Sequence, residues 1–216
     1  MTQVHLVMPY MRAQNKEVLL DAYRPMNVIL HPIMFADEVI EFDEPWVSPC
    51  IIPLESKKGP EGMEIQNIKR NYFIEHSEII DDDYYVAVDD DDMYEPNVFN
   101  EIKWMNDDIV IISMKRGHRT PTNVIPDRKY PTFTLWAAPE NVQVGAISNQ
   151  QSFVKGYVFK KYLYDAQGHC GDGRLAVRRK EAGEQIAYRP DLFALFNYYE
   201  PGRWDNGPKV VFGCMI

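Results

Sequence analysis

Val86-Ala87-Val88-Asp89-Asp90-Asp91-Asp92-Met93-Tyr94-Glu95-Pro96 joins an apolar run to four consecutive aspartates and then to a proline. With Tyr84 and Tyr85 ahead of it, the apolar part reads as a short buried strand. Pro96 suits the first turn of a helix carrying Val98, Phe99, Ile102 and Met105. Continued as extended chain, the aspartates alternate, Asp89 and Asp91 to one side and Asp90 and Asp92 to the other. Same-side carboxylates then stand about 7 Å apart. At an effective dielectric of about 20 they repel by on the order of 2 kcal/mol, and a divalent cation turns that cost into binding. Asp91, with Asp89 beside it, is the pair offered to the cation, which leaves Asp90 and Asp92 to the strand end and the following helix. Most acidic runs are solvated turns; this one is set apart by its place between a buried strand and a helix start.

Working outward, Val4-His5-Leu6-Val7-Met8 reads as a buried strand ended by Pro9, and Asn15 as the cap of a short helix that Pro25 stops. Val28 to Met34 is a second strand. Apolar residues at 65, 68, 72, 73, 79 and 80 recur with a helical period. Ile109 to Met114 returns as a strand. Strand and helix thus alternate, which predicts an α/β fold with a mostly parallel central sheet and helices on both faces. Ligands of such sheets bind beyond the carboxyl ends of the strands, where the aspartates stand. Further strands are expected at 132–137, 142–148, 185–189 and 192–196, and helices at 152–163 and 174–182, the second ended by Gly183.

The 216 residues, 45% hydrophobic and 25% charged, suffice for one globular domain. Its net charge of -9 argues against a nucleic-acid partner held by phosphates. Cys50, Cys170 and Cys214 are odd in number and lack metal-ligand spacing, which points to a reducing compartment, the cytoplasm. No apolar run reaches a membrane span, although peripheral membrane contact stays open.

The acidic stretch resembles the strand and Asp-x-Asp-Asp motif of nucleotide-sugar glycosyltransferases of the GT-A fold, most closely the inverting family 2. Three further segments match in order. Met8-Pro9-Tyr10 is similar to the end of that family's first strand, Asn67 to Asn71 resembles its Ala-Arg-Asn helix, and Gly171-Asp172-Gly173-Arg174-Leu175 with Arg178 resembles its Glu-Asp motif. Gly171 stands in place of the usual glutamate. The resemblance implies one GT-A domain over 1–216, with a nucleotide-binding half to about 92 and a smaller acceptor-binding half from about 93. It implies a UDP-sugar donor, a carbohydrate or lipid-linked acceptor, and Mn²⁺ or Mg²⁺ held by Asp91 and Asp89. Pro9, Tyr10, His31, Arg70, Asp89 and Asp90 would meet the nucleotide, Asp89 either sharing the ion or bonding the ribose. His31 stands where the family ends its second strand in an aspartate, with Asp37 as the nearby alternative.

Asp172 would be the general base that takes the acceptor's proton, giving inversion; Asp172-Gly173 is equally a helix-cap or turn pair. His169, the cluster Arg116, His118 and Arg119, and Glu200 to Trp204, similar to the Gln-x-x-Arg-Trp of processive synthases, carry weaker signals of the same kind. Trp136, Tyr198 and Tyr199 read as core or rim. A retaining transferase of the same fold, or a nucleotide- or metal-binding protein without transfer, are the alternatives. A nucleotidyltransferase predicts a Gly-rich basic loop after the first strand, which Tyr10 to Gln14 lacks.

Overall fold

The computed structural model describes residues 2–57, 63–116, 134–165 and 171–196. In chain order its elements are β1 (Val4–Pro9), α1 (Lys16–Tyr23), β2 (Ile29–Phe35), β3 (Cys50–Ile52), α2 (Ile65–His76), β4 (Tyr84–Ala87), β5 (Met93–Tyr94), α3 (Val98–Ile102), β6 (Ile109–Arg116), β7 (Thr134–Leu135), β8 (Ser152–Lys155), α4 (Gly156–Phe159), α5 (Gly171–Glu181) and β9 (Ile186–Phe196). The strands form one sheet in the order β3-β2-β1-β4-β8-β6-β9-β5, with β7 paired to β6.

Side-chain alternation on β1 divides the core. Val4, Leu6 and Met8 face a cluster containing Leu19 and Tyr23 of α1 and Val98, Phe99 and Ile102 of α3. Val7 faces the opposite cluster with Phe73 and Ile74 of α2 and Leu175 and Ala176 of α5. Helices therefore cover both faces, as the alternation of elements in the sequence requires.

The first four strands of that order are parallel: β2 on β3, β1 on β2, and β1 on β4. The chain moves from β1 outward to β2 and β3, then crosses back to place β4 on the other side of β1. That reversal is a topological switch point, where an open α/β sheet leaves a crevice beyond its strand ends. The loop after β1 and the aspartates after β4 meet there.

The second half is more mixed than its pattern implied. Ser152–Lys155, expected to begin a helix, is a fully buried strand antiparallel to both β4 and β6, and only Gly156–Phe159 after it is helical. Two-sided burial in a sheet removes the polar face by which an amphipathic helix is recognised. A Cβ on Gly156 would lie 2.0 Å from the Ile80 carbonyl oxygen, so glycine is required where the strand turns into the helix. Residues 142–148, expected as a strand, instead turn at Gly145, whose φ of 81° is left-handed. The segments 185–189 and 192–196 belong to one strand, interrupted where β6 shifts register between Ile112 and Ser113. Pro190 has no N–H for a ladder bond, and its carbonyl takes the Ser113 hydroxyl at 3.1 Å. Gly183 has the left-handed φ of 81° expected just past the end of α5.

Candidate functional site

The aspartates do not continue the strand. Asp92 N donates to Asp89 O at 3.1 Å, closing a turn over Asp89–Asp92. The period of two that divided the side chains therefore does not apply. Carboxylate oxygens of Asp89, Asp91 and Asp92 lie within 4.8 Å of one another, and Asp90 points elsewhere. Asp92 thus joins the acidic group instead of serving the next helix; its backbone carbonyl takes the Tyr23 hydroxyl at 3.0 Å. This is not a solvated run, since Asp90, Asp91 and Asp92 are 1%, 2% and 0% exposed.

Asp90 ties the turn to the loop after β1. Its Oδ2 accepts the backbone N–H groups of Met11 at 2.7 Å and Arg12 at 2.6 Å, and its Oδ1 accepts Arg12 Nη1. Asn15, expected as a side-chain helix cap, instead donates through Nδ2 to the Asp90 carbonyl at 2.8 Å. Arg12 Nη1 also lies 3.3 Å from Asp91 Oδ1.

Arg70 enters from α2. It is buried, donates through Nη2 to Asp89 Oδ1 at 2.7 Å and through Nη1 to Asn67 Oδ1 at 3.0 Å, and lies 5.4 Å from the Tyr164 ring centroid. The amphipathic period of α2 gives no hint that an arginine occupies the inner face. Lys69 is buried beside it, its Nζ bonded to Glu38 and to the Tyr10 carbonyl, both at 2.8 Å.

Asp172 lies in the first turn of α5, where an acid is favoured by the helix dipole. Its Oδ1 accepts the Gly173 N–H at 2.8 Å. Burial pushes this carboxyl above its ordinary range; the Gly173 N–H and the Arg70 charge pull against that, and the Asp89 charge adds to it. Gly173 is held close to the chain, since a Cβ there would lie 2.9 Å from Gly145 N.

A single polar cleft joins these parts. Arg70, Asp89 and Asp172 line it together with Asn67, Ser148 and Asn149. Three residues singled out in the sequence, from three different elements about 100 positions apart at the extremes, therefore share one wall. Pro9 and Tyr10 stand at the end of β1, Tyr10 buried with its N–H on the Ile33 carbonyl at 3.1 Å. Pro9, Tyr10, Asp90 and His31 are not among the residues lining the cleft; His31 sits in β2 between His5, 2.9 Å away, and Phe73, with Nδ1 3.2 Å from the Ser48 carbonyl. Asp37 pairs with Lys57 at 3.2 Å. His118, Arg119, His169 and residues 198–204 fall outside the described residues.

The sequence did not point to Arg12, Asp92, Ser148 or Asn149. Arg12 carried a signal, a lone base in the loop after β1. Ser148 closes a segment that reads as a strand, and Asn149 follows it.

The acidic group fits a divalent cation of the Mg²⁺ or Mn²⁺ kind. Its donors are hard carboxylate oxygens, three of them close enough to share one ion.

No family model matches the chain, and no curated protein matches it by sequence. Solved structures match by fold. TarS 1–349 of S. aureus superposes with a TM-score of 0.55 at 14% identity, over 90% of this chain and 60% of that one. The mannosyltransferase PcManGT from Pyrobaculum calidifontis, in complex with GDP-Man and Mn²⁺, gives 0.59 at 14% identity, over 93% of this chain and 58% of that one. A 4-diphosphocytidyl-2C-methyl-D-erythritol synthase gives 0.53 at 10% identity, over 95% of this chain and 94% of that one. The chain spans about three fifths of the length of the TarS and PcManGT structures. Its fold is GT-A-like, an α/β arrangement shared with TarS, the mannosyltransferase and the synthase. Among the described residues no helix is long and apolar enough to cross a membrane.

Proposed function

We propose that the chain is a metal-dependent glycosyltransferase that moves a sugar from a nucleoside-diphosphate sugar, UDP-linked in the first instance, to an acceptor hydroxyl with inversion. The observation that carries this reading is the convergence of Asp89, Arg70 and Asp172 on one polar cleft beside a group of three carboxylates. A Mn²⁺ or Mg²⁺ ion on Asp89, Asp91 and Asp92 would supply Lewis-acid stabilisation of the departing diphosphate.

The protein's own residues do the rest. Arg70, fixed by Asn67 and Asp89, sets a positive charge beside the place where negative charge develops. Asp90 anchors the β1–α1 loop, so Arg12 is held beside the acidic turn. Asp172 takes the proton of the acceptor hydroxyl, whose oxygen forms a bond to the anomeric carbon. The bond from that carbon to the diphosphate breaks, and its electron pair leaves with the diphosphate. A carboxyl raised by burial suits this task, because a stronger base accepts the proton more readily at neutral pH. The part of the chain from about residue 93 onward would carry the acceptor, a carbohydrate or lipid-linked hydroxyl compound.

A second reading, nucleotidyl transfer, draws on the near-complete mutual coverage with the synthase. The loop after β1 weighs against it. The Met11 and Arg12 amides form an anion-binding concavity that Asp90 already fills, which leaves no vacant nest for a triphosphate there. Incubation of the protein and MnCl₂ with UDP-sugars, GDP-mannose or CTP and a panel of hydroxyl- and phosphate-bearing acceptors, followed by nucleotide or pyrophosphate release and by NMR of the product anomer, separates the possibilities. Diphosphate release with an inverted anomer supports the proposal; a retained anomer indicates the retaining mechanism. Pyrophosphate release from CTP supports the second reading. Binding of a nucleoside diphosphate with no turnover of any donor leaves a binding protein.

A further inference from the structure

Two of the three carboxylates suited to a cation already face an arginine, and the two arginines differ in what else holds them. Arg70 meets Asp89, a member of the group. Arg12 meets Asp91 at 3.3 Å, but its closer partner is Asp90, which is outside the group. A cation arriving at Asp91 can displace Arg12 from that carboxylate. It cannot send the guanidinium away, because Asp90 retains it while its other oxygen is fixed by the amides of Met11 and Arg12.

We propose that Arg12 is a built-in counter-ion that holds down the affinity of the acidic turn for a divalent cation, so that tight cation binding requires the negative charge of a nucleoside diphosphate. The inference rests on the metal-dependent reading above. Asp89, Asp90, Asp91 and Asp92 carry four formal negative charges against the two positive charges of Arg12 and Arg70, so the arginines offset half of the charge that would draw a cation in. A cation on the group would sit within a few ångströms of the retained guanidinium. At about 6 Å even a fully aqueous dielectric of about 80 makes a unit charge and a divalent ion repel enough for roughly a tenfold change in affinity. The diphosphate would relieve that repulsion, so metal and nucleotide each raise the other's affinity by the same factor.

Calorimetric titration of MnCl₂ into wild type, Arg12→Gln and Arg12→Lys, each with and without UDP or GDP, tests this. Wild type should bind Mn²⁺ weakly alone and more tightly with the nucleotide. Arg12→Gln should bind Mn²⁺ alone roughly tenfold more tightly and lose most of the nucleotide's enhancement, with Arg12→Lys close to wild type. Equal or weaker Mn²⁺ binding by a folded Arg12→Gln protein overturns the role of Arg12 and leaves the metal reading standing. Absence of Mn²⁺ binding by wild type, with and without nucleotide, overturns the metal reading itself. NMR of the Arg12 Nε–H on wild type reports the same event without a variant: Mg²⁺ should shift that signal, and an unmoved signal at saturating Mg²⁺ overturns the inference.

Discussion

Arg70 Nη2 donates to Asp89 Oδ1 at 2.7 Å, an ion pair with its guanidinium end buried and its carboxylate end open to the cleft. The pair couples α2 to the acidic turn and leaves the positive charge facing any anion that enters. Arg70→Met keeps the aliphatic volume and removes the charge, and is expected to weaken UDP or GDP binding roughly tenfold or more, about 1.4 kcal/mol, measured calorimetrically. Stability should fall by about 1–3 kcal/mol, because Asn67 and Asp89 lose their partner. Undiminished nucleotide binding by the folded variant would make Arg70 a packing residue only.

The acidic turn separates into two jobs, and two conservative substitutions tell them apart. Asp92→Asn takes one hard donor from the cation group and leaves the loop contacts intact, so Mn²⁺ affinity should drop with little change in melting temperature. Asp90→Asn should act chiefly on stability. Its carboxylate accepts two backbone amides and the Arg12 guanidinium, and losing it should cost about 2–4 kcal/mol in urea denaturation. If Asp90→Asn abolished cation binding and left stability unchanged, the partition would be wrong.

What could be read from the sequence follows from how local each signal is. In the parallel half, β1, β2 and β4 with α1 and α2 were legible because the strands are mostly apolar and each helix keeps its period, whereas β3, three residues between Pro49 and Pro53, lies in a stretch that reads as a Pro- and Gly-rich loop. Residues 152–155 were not, because a four-residue strand buried on both faces looks like the start of an apolar helix. In the site, the residue types Asp89, Arg70 and Asp172 were visible and their meeting was not. The partition of the aspartates failed for a specific reason: one hydrogen bond, Asp92 N to Asp89 O, turns a chain that was assumed to be extended. Arg12 is a single base in a loop without glycine, so no motif marks it.

Asp172 combines a structural place with a chemical one. In the first turn of α5 it would stabilise the helix by a few tenths of a kcal/mol to about 1 kcal/mol, and that contribution survives poorly in Asp172→Asn. The same change removes the base. Transfer is expected to fall by roughly a hundredfold or more, with nucleotide affinity nearly unchanged and the melting temperature lowered by at most about 2–4 °C. Because burial raises this carboxyl, kcat/KM of wild type should decline with acid at a pH above the ordinary aspartate value of 3.8. Loss of nucleotide binding together with transfer would mark Asp172 as a cap alone.

The histidines of the sheet set a different acid limit. His31 lies 2.9 Å from His5 Nδ1, and His5 Nε2 lies 3.1 Å from Asp83 Oδ2. Burial drives His31 from 6.5 down to about 4, the neighbouring His5 pushes the same way, and the Ser48 carbonyl opposes them. Burial also lowers His5, although Asp83 pulls it upward. Below about pH 6.5 the unfolded chain binds protons that the folded rings refuse, so folding stability must fall with acid, for His31 over the interval from 6.5 to about 4. One such group gives a slope of up to about 1.4 kcal/mol per pH unit, and its partial exposure limits the loss to roughly 1–2 kcal/mol between pH 7 and pH 5. Urea midpoints at the two pH values measure it. His31→Gln cannot take up the proton in either state, so its acid loss should be smaller than that of wild type; an equal loss would place the acid sensitivity of the fold elsewhere.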